Sequence, residues 1–245
     1  MNNMDKSRVD FLGWELYSGH REREKNAAGV YVMGTISVFF IVEIIGTVAF
    51  ACSGAMVAIK KNLDLLGIIV LGVTTAVGGG MIRDILIGIH PPALFTNPVY
   101  VMAAFVAVLC LFLIIKCRRI TIEALSSLWY ERVMNILDAV GLGAFTVVGI
   151  DTAITAGFGE YNFLMIFLGV ITGVGGGVLR DIMAGETPAV LRRHVYACAS
   201  LAGAVSYVLL QRVLESEWDL ILSASLVVVI RVLARHYKWN LPRAL

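Results

Sequence analysis

Charge is what this chain has least of. Only 16% of its 245 residues are charged, against about 25% in a typical soluble domain, and 58% are hydrophobic, with a mean hydropathy of +0.82. The apolar excess runs along most of the chain, which excludes a single buried core and points to an integral membrane protein. The net charge of +2 is too small to imply a nucleic-acid partner. Catalytic signatures are missing as well: there is no HExxH, no GxSxG and no P-loop, so nothing supports an enzyme. The four cysteines, Cys52, Cys110, Cys117 and Cys198, show no CxxC spacing. They read as small apolar packing residues rather than a metal site or disulfide frame, and no cofactor is called for. No secretory cleavage signal is evident, because the first apolar segment is too long for one and runs on into further spans.

What is present is a series of apolar runs. A helix needs roughly 20 apolar residues to cross a hydrocarbon core. Runs this continuous favour helices over the alternating strands of a barrel. Seven spans are expected, at about 34–59, 65–88, 98–115, 133–154, 163–185, 194–214 and 220–233, the last short. Pro91-Pro92 and Pro188 follow the second and fifth. Lysine and arginine in the loops set the orientation. One side collects Lys60, Lys61, Lys116, Arg118, Arg119, Arg132, Arg192, Arg193, Arg235, Lys238 and Arg243, and the opposite loops offer Arg212. The first side is expected in the cytoplasm, with the N-terminus outside and the C-terminus inside. Lys6, Arg8, Arg21, Arg23 and Lys25 in the N-terminal tail oppose this.

The chain also repeats itself. "LGVTTAVGGGMIRDILIG" (71–88) and "LGVITGVGGGVLRDIMAG" (168–185) share twelve of eighteen positions. Upstream, with a two-residue shift, "EIIGTVAFACSG" (43–54) aligns with "DAVGLGAFTVVG" (138–149), so that Glu43 matches Asp138; downstream, Pro91 matches Pro188. GGGxxRD recurring at matched places in a three-helix unit indicates internal duplication. Three spans per unit is an odd number, so the second copy is expected to insert upside down, the inverted-repeat plan of transporters and channels. The expected fold is thus all-α and polytopic, with two inverted three-helix repeats and a seventh helix outside them. The expected divisions are a polar extension at 1–32, the first repeat at 33–115, a basic cytoplasmic loop at 116–132, the second repeat at 133–214, and the seventh helix with the C-terminus at 215–245.

Three sets of residues are candidates for function. Gly78, Gly79, Gly80 and Gly175, Gly176, Gly177 interrupt their spans, and each glycine costs a helix about 1 kcal/mol relative to alanine. A break there would free carbonyls for cations and a half-helix N-terminus for anions. The alternative is close helix packing. Arg83-Asp84 and Arg180-Asp181 follow the glycines. Helix neighbours point about 100° apart, so a clasp across the repeats, Arg83 to Asp181 and Arg180 to Asp84, is one expectation and snorkelling to the interface is another. Glu43 and Asp138 lie within apolar spans, where carboxylates mark ion or proton paths unless a helix terminus or an arginine ties them down. Ser53, Thr74, Thr75 and Thr172 are weaker candidates, since hydroxyls in such helices often bond their own backbone.

Two copies of a helix carrying GGGxxRD, each followed by a proline, plus a seventh helix, resemble the bacterial branch of the trimeric intracellular cation (TRIC) channels, whose repeat is also labelled a glycine transporter domain. The resemblance covers about residues 35–240. It implies a homotrimer in a bacterial inner membrane, each subunit holding its own pore for monovalent cations, chiefly potassium. It puts kinks at the two glycine triplets on that pore, and an acidic residue at the matched place in the first and fourth helices. That residue is usually Asp, and here the first is Glu43. Passive cation conduction is the favoured function; a carrier for glycine or another small amino acid is the alternative. The tail before Met33 has no counterpart in the family pattern, and residues 1–32 are expected to be an over-extended start or a dispensable extension, with an amphipathic segment on the lipid surface as the rival.

Overall fold

The structure, a computed structural model, describes residues 37–117, 128–192, 195–213, 218–237 and 239. The tail 1–32 and residues 118–127 of the basic loop lie outside the described residues. Among those described there are nine α-helices and no strand. They are α1 Val38–Lys60, α2 Leu65–Leu86, α3 Ala93–Thr96, α4 Val99–Cys117, α5 Leu128–Ala153, α6 Asn162–Met183, α7 Ala189–Arg192, α8 Tyr196–Leu210 and α9 Trp218–His236. Among the described residues five segments are long and apolar enough to cross a membrane: Val38–Lys60, Leu65–Leu86, Val99–Cys117, Tyr130–Phe158 and Asn162–Met183. α8 is apolar but only 15 residues long. The apolar run of α9 is interrupted by Arg231.

Local chemistry sets the helix limits. Asp64 caps α2 by accepting the Gly67 amide at 2.7 Å, satisfying one orphan donor of the first turn. α2 and α6 end alike. Gly88 and Gly185 take positive φ (78° and 67°), and the next amides, Ile89 and Glu186, return to the carbonyls of Asp84 and Asp181 at 2.8 Å. Residues with side chains resist that backbone, so glycine closes both helices. α5 passes at its end into a π-helical turn, Ile154–Phe158, with Gly157 at φ 89°.

The expected breaks at the glycine triplets are absent. α2 continues through Gly78, Gly79 and Gly80, and α6 through Gly175, Gly176 and Gly177, as uninterrupted α-helix. An opened turn at membrane depth leaves carbonyls and amides unsatisfied, each costing several kcal/mol. That outweighs the roughly 1 kcal/mol each glycine costs a helix. The packing alternative is the one seen: α2 lies against α6, α6 also against α5 and α8, and α9 against α5 and α8. α4 packs on α2 and buries only Ala104 and Val108, leaving an apolar outer surface suited to lipid.

Candidate functional site

The site is built on the contact of α2 with α6. A Cβ on Gly79 would fall on the Thr172 carbonyl oxygen, and a Cβ on Gly176 on the Thr75 carbonyl oxygen. Backbone meets backbone, as small residues allow in membrane helices. The Thr75 and Thr172 hydroxyls bond their own helices, at Leu71 O and Leu168 O, both at 2.6 Å. α1 reaches Thr75 through Gly54 just as α5 reaches Thr172 through Gly149: an added Cβ would lie 2.5 and 2.6 Å from the two hydroxyl oxygens. Phe50 and Phe145, matched residues of the two copies, meet with ring centroids 5.4 Å apart. These contacts of one copy are returned by the other.

The charged pairs follow on each helix. The cross-repeat clasp is not formed, and neither arginine snorkels: Arg83 is 5% exposed and Arg180 3%. Each arginine instead folds along its helix to its own neighbour. Arg83 donates Nε and NH2 to Asp84 Oδ1 at 2.9 and 2.7 Å. Arg180 does the same to Asp181 Oδ1 at 2.9 and 2.8 Å. The long guanidinium stem spans the 100° between neighbours, which a shorter cation would not. The second carboxylate oxygen takes the amide that opens the next short helix: Asp84 Oδ2 accepts Ala93 N at 2.8 Å, and Asp181 Oδ2 accepts Ala189 N at 2.6 Å. Each aspartate therefore ties the end of a long helix to the turn after its proline. With both oxygens bonded, a charge otherwise costly to bury is satisfied.

Beside these matched joints the two copies differ. Asp138, 2% exposed, accepts Arg180 NH1 at 2.8 Å, Tyr196 OH at 3.4 Å and Arg231 NH2 at 3.5 Å. Arg180 NH1 also donates to Ser53 Oγ at 2.5 Å. Asp138 is thus a carboxylate tied down by arginines. Glu43 is only half-buried; it is hydrogen-bonded by the Tyr100 hydroxyl, and Arg83 is near enough to act on it by charge. It lines a cavity with Thr47, Gly80, Arg83, Asp84, Tyr100 and Phe145. Its volume of about 40 Å³ admits water-sized occupants, one of which needs about 10–15 Å³.

The tyrosines and Arg231 escape a reading of the sequence confined to GGGxxRD. The tyrosines carry a signal: "PALFTNPVY" (92–100) over "PAVLRRHVY" (188–196) matches Pro92, Ala93, Val99 and Tyr100 to Pro188, Ala189, Val195 and Tyr196. With this register Pro92, not Pro91, is the counterpart of Pro188. Arg231 shows as a lone charge within "LVVVIRVLA". Asp151 is another carboxylate in an apolar segment, accepting Tyr207 OH at 3.2 Å. Past α6, Glu186 meets Lys61 at 3.1 Å and Arg192 at 3.5 Å. Partial burial pushes its carboxyl up, but the Lys61 hydrogen bond and the charges of Lys61, Arg192 and Lys60 prevail and hold it below the usual value.

A family model described as "Glycine transporter" matches residues 40–116 and again residues 135–212, once over each copy. The chain belongs to this family. Among its relatives in it are the UPF0126 membrane protein of Deinococcus radiodurans, 40% identical over 66% of this chain and 71% of its own length. Another is the UPF0126 membrane protein YvgT of Bacillus subtilis, 35% identical over 82% and 94%. A third is the inner membrane protein YadS of Escherichia coli K12, 34% identical over 81% and 91%. Solved structures of TRIC cation channels share the fold. One is 38% identical with a TM-score of 0.71, covering 85% of this chain and 98% of that one. The orthologue from Rhodobacter sphaeroides is 32% identical with a TM-score of 0.74, over 83% and 100%. This member of the glycine transporter family is therefore a multi-pass membrane protein with the helical fold of TRIC channels. The neighbours are cation channels.

Proposed function

We propose that the protein is a homotrimeric channel that passes monovalent cations, potassium foremost, along a path inside each subunit. The path runs past Glu43, by the crossing of α2 and α6 at Gly79 and Gly176, to the cluster around Asp138. The observation that carries this reading is the cavity beside Glu43. Two carboxylates, Glu43 and Asp84, face a single arginine, Arg83, around a space for water-sized occupants. Asp84 is saturated by Arg83 and Ala93, so the surplus negative charge rests on Glu43. A surplus of this kind beside a cavity attracts a cation. The similarity to cation channels at 38% and 32% identity supports the same reading. The crossing itself is in van der Waals contact and Phe50 and Phe145 fill the space beside it, so conduction requires these elements to part.

In this reading the chain crosses an inner membrane seven times, its two copies inverted, with the C-terminus and the Asp138 cluster on the cytoplasmic side. The reciprocal contacts at Gly79 and Gly176 support a two-fold relation between the copies. A second reading, a carrier for glycine or another small amino acid, is favoured by the one-sided cavity: space beside one copy and dense packing beside the other is how a carrier looks when open to one face. Purified protein in liposomes separates the two. Potassium flux without uptake of labelled glycine is the expected result; saturable glycine uptake without potassium flux overturns the channel reading.

A further inference from the structure

The cavity beside Glu43 has a counterpart in the second copy, and the counterpart is full. Around the cavity stand Glu43, Thr47, Val77, Ala93 and Tyr100. The repeat matches them to Asp138, Leu142, Val174, Ala189 and Tyr196. Four of these, Leu142, Val174, Ala189 and Tyr196, form one packed cluster with Val227, and Ile230 packs against it. Both residues belong to α9, the helix outside either copy. On the same helix, Arg231 is 7% exposed and sends NH2 to within 3.5 Å of Asp138 Oδ2. Its guanidinium carbon lies 4.5 Å from the centroid of the Tyr196 ring. A carboxylate on one side and an aromatic face on the other is what a bound cation seeks. The charges agree. Among the described residues, Glu43 and Asp84 face one arginine, Arg83, whereas Asp138 and Asp181 face two, Arg180 and Arg231.

We infer that Arg231 is a tethered cation: its guanidinium fills the second copy's version of the cation site, and a free cation passes there only when this side chain is displaced. Arg231 is thus a specificity residue of the proposed path, and its removal creates a site for an organic cation of the guanidinium class. The inference rests on the channel reading for its effect on flux, but not for the binding site itself.

Arg231→Ala in the full-length protein tests both parts. The variant leaves a guanidinium-shaped space beside Asp138 and Tyr196. Two readouts are taken, with methylguanidinium chloride at low millimolar concentration as the probe and sodium chloride at equal ionic strength as the control. Thermal unfolding in detergent is expected to show a lower Tm for Arg231→Ala that methylguanidinium raises again, with no such rise in the wild type and a Tm near wild type for Arg231→Lys. In liposomes, potassium flux is expected to increase severalfold in Arg231→Ala and to fall back when methylguanidinium is added. A Tm that methylguanidinium does not raise, or raises equally in the wild type, overturns the site. Equal potassium flux in wild type and Arg231→Ala overturns the role in the path. Rescue of Tm with no potassium flux in any form means that the channel reading has failed while the site stands. If Arg231→Ala does not fold, Arg231→Gln keeps the length of the side chain, removes its charge, and is judged by the same two readouts.

Discussion

The two copies hold their Arg-Asp joints by the same bonds and treat the neighbouring carboxylate in opposite ways. In the first, Glu43 is half-buried beside a cavity and its hydrogen-bond partner is a tyrosine. In the second, Asp138 is buried and held by Arg180, Arg231 and Tyr196. The difference comes from outside the duplicated unit: α9 packs over the second copy and lays Val227, Ile230 and Arg231 beside Asp138 and its neighbours. A duplicated scaffold can thus keep one joint twice for its stability and leave only one of its two carboxylates beside a cavity.

Removing the buried carboxylate is the strongest way to break this comparison. Asp138→Ala leaves two buried guanidinium groups short of an acceptor, a loss of about 3–5 kcal/mol by the behaviour of other buried pairs. Glu43→Ala, beside a cavity, is expected to cost well under half as much. Thermal unfolding of both variants in the same detergent gives the ratio; equal losses would mean that the two carboxylates are equivalent after all.

The glycines provide the next test. Gly79→Ala and Gly176→Ala each drive a Cβ into a backbone carbonyl of the facing helix, and overpacking of this kind costs about 1–3 kcal/mol. Within the triplets the copies diverge. A Cβ at Gly80 would find only Arg83 NH2 at 3.7 Å, whereas at Gly177 it would find the Tyr196 hydroxyl at 2.8 Å. Gly80→Ala is therefore expected to leave the Tm unchanged or slightly raised, since alanine is the better helix former, and Gly177→Ala to lower it.

Double-mutant cycles then separate the joints from a clasp. Arg180 and Asp138 share an ion pair at 2.8 Å, so their substitutions should be non-additive by about 0.5–3 kcal/mol. Arg83 and Asp181 have separate partners, and their cycle should close to within about 0.5 kcal/mol. A large coupling between Arg83 and Asp181 would restore the clasp across the copies.

The smallest effect lies at the loops. Glu186 holds its proton less readily in the folded protein than in the unfolded chain, because of Lys61, Arg192 and Lys60. A folded value depressed below the unfolded 4.5 stabilises above that pH, and the gain is lost as the pH falls through the folded value. Exposed pairs of this kind contribute about 0.2–1 kcal/mol. Glu186→Gln should lower the Tm slightly at pH 7 and not at all well below pH 4, and raised salt should shrink the effect. A pH-independent loss would assign Glu186 a packing role instead.

Much of this was legible beforehand because duplication writes the same constraint twice. The helical class followed from apolar run length, and Arg83, Asp84, Arg180 and Asp181 stood out as charges where charge is scarce. The match of Tyr100 to Tyr196 was equally present, but only in a register shifted by one residue after the helix end. A search fixed on GGGxxRD passes over it. The breaks at Gly78–Gly80 and Gly175–Gly177 were misjudged because propensity weighs a glycine against its own helix alone. The facing helix, with Thr172 O against Gly79 and Thr75 O against Gly176, supplies the contact that keeps both helices intact.

The sequence by itself determined that the chain is a bundle of membrane helices built twice over, because run length and repetition are properties of a string of residues. That the Arg-Asp pairs are buried was decided only in the folded structure, because they lie in the last turns of α2 and α6, where the sequence alone allows snorkelling to the interface. Which acid each arginine meets was decided only by the tertiary structure. A guanidinium stem reaches several neighbours, and the one it takes depends on which carboxylate oxygens the backbone amides of Ala93 and Ala189 leave available. The fate of Glu43 and Asp138 was decided in the same way, by where α9 lays Val227, Ile230 and Arg231. That packing depends on residues some 90 positions from Asp138 in the chain, a distance over which periodicity and spacing carry no information.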